Sequence, residues 1–157
     1  MATRSTIALE FADGTVQQVY CHWDGYLEHN GKILFESYSD PFKLRDLIDL
    51  GDLSSLRPTI GTKHAFSQFE LRAEEVPAFQ KLTEDMCTFY GRDRGENGTG
   101  AKKFKDFEDY RANHQYEEYE YILRNVNGVA TWFVSKYDGP YLSLEEELTK
   151  AMEIEVA

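Results

Sequence analysis

With 157 residues, 28 of them acidic and 17 basic, the chain carries a formal net charge of −11. That balance works against nonspecific attachment to nucleic acid or to an anionic membrane, because like charges repel. A hydrophobic content of 41% with 14% aromatic residues excludes a disordered chain and supports one domain over residues 1–157.

No apolar run reaches the length of a membrane span. The opening MATRSTIALEF lacks the apolar stretch of a signal peptide. Cys21 and Cys87 alone make no disulfide framework. The sequence therefore reads as a cytoplasmic protein with reduced thiols. Ten Tyr and ten Phe point to aromatic packing with wet edges, or to a sticky surface.

Residues 5–11 (STIALEF) and 16–23 (VQQVYCHW) alternate apolar and polar side chains, with a turn signal, ADGT, between them. A two-residue Asp13-Gly14 loop would set Phe11 opposite Val16 and Leu9 opposite Gln18, mixing the faces. A three-residue loop with Gly14 as a bulge sets Phe11 opposite Thr15 and Ile7 opposite Val19. Register follows the buried face, so the bulged loop is expected. Ile7, Leu9, Phe11, Val19, Cys21 and Trp23 then share the core side, while Tyr20, His22 and Asp24 point the other way. Asp24-Gly25 closes the strand with a turn pair.

Further along, GKILFESY (31–38) brings Leu34 and Tyr38 four apart, as in a short helix. DPFKLRDLIDLGD (40–52) is a clearer one, with Asp40 as cap, Pro41 in the first turn and Gly51 past the end. Leu44, Leu47 and Ile48 mark its buried face. Residues 57–64 read as loop, and AEEVPAFQKL is helical from Pro77 onward. MCTFYG (86–91) is a short strand, and RDRGENGTGAKK (92–103) is a polar loop. KDFEDYRANH (105–114) is a short acidic helix. YEYILRN and ATWFVSKY make a second hairpin around Asn127-Gly128, with Leu123 facing Trp132 and Tyr121 facing Val134. SLEEELTKAM (143–152), with Ser143 and Glu146 as a capping box, is the last helix. The expected fold is α+β: an antiparallel sheet of two hairpins and a short strand, with helices mainly on one face.

Cys21, His22, His29, His64, Cys87 and His114 show none of the spacings of a zinc site, and Cys21 and His22 face opposite sides of a strand. The same facing removes them as a nucleophile–base pair. There is no GxSxG elbow. GENGTGAKK (95–103) fails as a phosphate loop, because Ala101 separates the last glycine from the lysines and no hydroxyl follows. No metal, cofactor or catalytic set is assigned.

Two stretches remain, CHWDGY (21–26) and YGRDRGE (90–96). They offer His22, Asp24 and Tyr26 from one side and Arg92, Asp93 and Arg94 from the other as candidate binding residues. Asp24 at a turn calls for a cation, and the guanidinium fork of Arg92 or Arg94 suits it. The outcome is either an internal ion-pair network locking the loop or a site with a spare arginine turned outward. The acidic blocks at 106–120 and 145–155 are either solvated faces or an imitation of nucleic-acid charge.

CHWDGY, GKIL, LGDLSSL and FYGRDRGE, in that order over most of the chain, resemble a family of small uncharacterised bacteriophage-encoded proteins. The resemblance carries over no functional residue. It implies phage origin and, by analogy with small acidic phage proteins, modulation of a host protein in takeover or anti-defence. The missing catalytic set, the acidity and the aromatic content point to non-enzymatic binding, in the host cytoplasm. The alternative is a small enzyme or nucleotide-binding protein whose site joins the two stretches.

Overall fold

The computed structural model describes residues 2–156, with side chains through Met152. Strand β1 (Ser5–Glu10) and strand β2 (Val16–Cys21) form the first hairpin, with Ile7 opposite Val19. Phe11 N donates to Thr15 O at 2.7 Å and Gly14 N to Phe11 O at 2.9 Å, and Gly14 has φ +90°. This is the bulged loop that face matching requires.

The core side of that hairpin ends at Cys21, not at Trp23 as the alternation suggests. His22 N and Trp23 N donate to Leu53 O and Ser54 O, so the chain swings alongside β3 (Leu53–Ser55). Asp24 then takes φ +58° and Gly25 N donates to Thr3 O at 2.8 Å. A Cβ on Gly25 would lie 2.7 Å from Ser5 Cβ, so only glycine lets the backbones come this close. The bend leaves Trp23 45% exposed.

A wide turn at Leu27–Gly31 runs into α1 (Lys32–Ser37), followed by α2 (Pro41–Asp49). Asp40 caps α2 by accepting from Phe42 N at 3.0 Å, and Leu44, Leu47 and Ile48 are fully buried. Each such side chain contributes about 1.5–3 kcal/mol by leaving water. After β3 come two single-turn helices at Gln68–Glu70 and Ala73–Glu75, then α3 (Val76–Leu82) and β4 (Thr88–Phe89). The stretch expected to be polar loop instead holds a one-turn helix, α4 (Tyr90–Arg94), and strand β5 (Lys102–Phe104). Then follow α5 (Phe107–Asn113), β6 (Tyr119–Val126), β7 (Val129–Lys136), β8 (Leu142–Ser143) and α6 (Leu144–Val156). Leu123 faces Trp132 and Tyr121 faces Val134 across the β6–β7 hairpin. None of these helices is long and apolar enough to cross a membrane.

Among the described residues the strands make one sheet, in the order β4-β3-β2-β1-β6-β7-β8, with β5 also pairing β2. The sheet is mixed rather than antiparallel. The two hairpins join through β1 and β6, which run parallel, and β2 meets β3 in parallel as well. Such pairing needs long crossovers, and residues between the hairpins supply one. Nor do the helices keep to one face. Helices α1, α2 and α6 cover the side of Ile7, Val19, Tyr121 and Leu123. Helix α5 and strand β5 cover part of the other side, where Tyr110 and Phe104 pack on Ala8, Val16 and Ile122. Strand β1 is accordingly buried at five successive residues, Ser5 through Leu9, as a strand with both faces covered must be.

Candidate functional site

Strands β2, β3 and β4 place CHWDGY and YGRDRGE in the same sheet, one strand apart. Cys21 pairs with Leu53, and Leu53 with Phe89. These three are buried on the helix side. Alternation puts Tyr20, Asp52 and Tyr90 on the opposite side, beyond the part that α5 covers.

The two arginines divide the roles left open by the sequence. Arg92 Nε donates to Asp93 Oδ1 at 3.0 Å and Nη1 to the carbonyls of Ile60 and Gly61 at 3.0 and 3.1 Å. Its Nη2 donates to Cys87 O at 2.9 Å and Asp93 Oδ2 at 3.2 Å. A guanidinium has five N–H donors, and all five are used inside the protein. Asp93 also accepts from His64 N at 3.1 Å and Phe89 N at 2.8 Å. The buried Arg92–Asp93 pair is thus an internal staple. His64 lies beside it, with Nε2 3.7 Å from Asp93 Oδ2.

Arg94 is the outward arginine. Its guanidinium lies over the rings of Phe66 and Tyr90, 4.6 and 4.8 Å from their centroids, and pairs with Glu96 through Nε and Nη2. The Asp24–arginine bridge expected from the sequence does not form. Asp24 has no ion-pair partner among the described residues, since each arginine is held by an acid one or two residues away. Local pairs of that kind order fewer groups than a bridge across the sheet.

On the β2 side, the Tyr20 hydroxyl meets His22 Nδ1 at 2.7 Å, and the His22 ring meets Trp23 edge-on with centroids 4.7 Å apart. Asp52 stands between the two aromatic groups. Its Oδ1 accepts from Tyr20 N at 2.9 Å, and its carbonyl accepts from Tyr90 N at 3.2 Å. Burial pushes the Asp52 carboxyl up, and Glu96 adds to this against the Tyr20 N–H and Lys102. Burial also raises the Tyr20 hydroxyl to about 12, against a lowering influence of Arg4. Tyr26 is 37% exposed and packs near His29 rather than in this group.

Compared with known proteins, the sequence matches no family model, and no curated protein or solved structure is significantly similar to it. Burial pushes Cys21 up to about 12 and raises Cys87 as well, so both thiols are held protonated and are poor nucleophiles. Tyr90 lies in the YGRDRGE stretch but is not among its candidate binding residues, and Asp52 and Phe66 carry no sequence signal of a site. Asp52 follows a helix end, and Phe66 sits in an apparent loop.

Two carboxylates of the acidic blocks are paired. Glu120 is buried against His114 at 2.7 Å, and Glu147 accepts from Lys136 at 2.7 Å and Lys150 at 3.3 Å. An apolar cleft of about 290 Å³ lies away from both stretches, lined by residues including Leu9, Phe11, Phe42, Leu123 and Ala130.

Proposed function

We propose that the chain is a phage-type, non-enzymatic protein that binds and modulates a host protein through Trp23, His22, Tyr90 and Arg94. The observation that carries this reading is Arg94 laid on two aromatic rings at the surface while Arg92 is consumed inside. Trp, Tyr and Arg are the residue types that concentrate binding energy at protein interfaces. Stacking pre-organises the guanidinium, so less freedom is lost on contact. The net charge of −11 favours a partner with a basic surface and speeds its approach.

The test is capture of a host protein from bacterial lysate at moderate salt by the tagged chain, with Trp23→Ala and Arg94→Ala beside the parent. The reading requires a partner held by the parent and lost from both variants at unchanged melting temperature. Equal capture by all three would remove this surface from the account.

A second reading, a small enzyme or nucleotide-binding site, is favoured by one observation. Tyr20 fixes the His22 ring through Nδ1, and Asp52 with its raised pKa lies beside Tyr20. Paired groups of this kind serve general acid–base work. Titration with nucleoside mono-, di- and triphosphates, followed at the His22 ring protons, decides it. Shifts that saturate at millimolar ligand or below support it.

A further inference from the structure

Leu56 and Cys87 are both fully buried, yet no residue from 57 to 86 is. Phe69 in this stretch is 91% exposed. Its two single-turn helices and α3 pack on one another, and of its apolar side chains Ile60 packs against the main core. A segment this poor in buried apolar area has little hydrophobic free energy holding it down.

Polar ties hold it instead. Arg92 Nη1 donates to the carbonyls of Ile60 and Gly61, and Asp93 Oδ1 accepts from His64 N. His64 Nε2 meets Cys87 O at 2.9 Å, and Cys87 N donates to Thr59 O at 2.9 Å. At the root, Cys87 Sγ lies 3.2 Å from Arg57 N and 3.3 Å from Arg57 O. Farther out, the ring of Phe66 rests on Tyr90 with centroids 5.5 Å apart.

Part of this network belongs to the body and survives without the strap. With the segment lifted, Arg92 keeps Asp93 through Nε and Nη2, and Cys87 O through Nη2. Asp93 keeps Phe89 N. The freed Ile60 and Gly61 carbonyls meet water, while Arg92 Nη1, Cys87 N and the buried Tyr38 hydroxyl, which donates to Arg57 O at 2.7 Å, give up strap acceptors, and that is the polar cost of opening.

We infer that residues 57–86 form a strap that opens and closes as one unit over β4, with Arg92 and Asp93 as its latch, and that opening uncovers Cys87 and Tyr90. The strap would gate part of the Arg94–Tyr90 surface. It does not depend on the binding reading, and its test involves no partner.

The two cysteines are the reporters. Both are fully buried, but Cys21 lies within β2, where only global unfolding reaches it, while Cys87 lies under the strap's root. The full chain is exposed to N-ethylmaleimide under native conditions and the label at each cysteine is followed by peptide mass. Two variants loosen the closure. Arg92→Lys removes the fork. Gly61→Ala acts from the strap itself: at φ +72°, with its Cβ 2.3 Å from Met86 Cγ, it strains the turn that offers the Gly61 carbonyl to Arg92. Strap opening requires Cys87 to be labelled at least about tenfold faster than Cys21 in the parent, with either variant raising the Cys87 rate by about tenfold or more and leaving Cys21 unchanged. Equal rates at the two thiols in the parent, or a Cys87 rate indifferent to Gly61→Ala, would overturn the strap. Amide exchange gives a second reading on the parent alone: residues 57–86 must exchange as a group well ahead of β1 and β6.

Discussion

His114 and Glu120 meet in the interior, Nε2 to Oε2 at 2.7 Å, with side chains 2% and 1% exposed. The other ring nitrogen, Nδ1, faces the carbonyl of Tyr110 and must carry a proton to bond it. Only an imidazolium then donates to the Glu120 carboxylate as well. The pair ties the end of α5 to β6. Glu120 Oε1 also accepts from Glu117 N at 3.2 Å.

A pH window follows from this pair. Burial works to lower the His114 pKa, but the Glu120 hydrogen bond and charge and the Tyr110 carbonyl outweigh it, raising it above the ordinary 6.5. The native state therefore holds a proton that the unfolded chain releases. The resulting stability is fully present below pH 6.5 and is lost as pH rises through the folded value. Urea midpoints measured across that range should fall in the parent and flatten in His114→Gln. Glu120→Ala leaves the imidazole without its partner and should cost about 3–5 kcal/mol below pH 6.5.

Trp23 and Trp132 should behave oppositely. Trp23→Ala, at a residue 45% exposed, should change stability by no more than about 0.5 kcal/mol. Trp132→Ala, at a residue 3% exposed, should cost about 3–5 kcal/mol. Denaturant titrations of the two variants check this, and a large loss at Trp23 would place it in the core after all.

Two double-mutant cycles separate the staple from the surface arginine. Asp24→Ala with Arg94→Ala should be additive within about 0.5 kcal/mol, because the two side chains share no bond. Arg92→Ala with Asp93→Ala should show a coupling of about 1–3 kcal/mol, since either single change strands a buried charge.

Asp52→Asn should raise the melting temperature at neutral pH. Burial, aided by Glu96, raises the Asp52 pKa, so holding the carboxylate charged opposes folding once the pH exceeds its unfolded value. Asparagine keeps an acceptor for Tyr20 N without the charge. The advantage should vanish below pH 3.8, where both states of the parent are protonated. Melting curves at acidic and neutral pH test it.

Several features follow from residues close together in the chain. The Ile7–Val19 and Leu123–Trp132 registers, the Asp40 cap and the Leu44, Leu47 and Ile48 face all match the structure. Strand alternation, turn chemistry and capping act within a few residues, so the sequence determines them by itself. The tertiary structure decided the rest. The parallel β1–β6 junction, the exposure of Trp23, the placing of Asp52 between Tyr20 and Tyr90, and the hold of Arg92 on Ile60 and Gly61 join residues far apart in the chain. A local period carries no information about which distant strand or carbonyl will be met. The mixed sheet sets those meetings, and with them which arginine stays inside and which is left to face a partner.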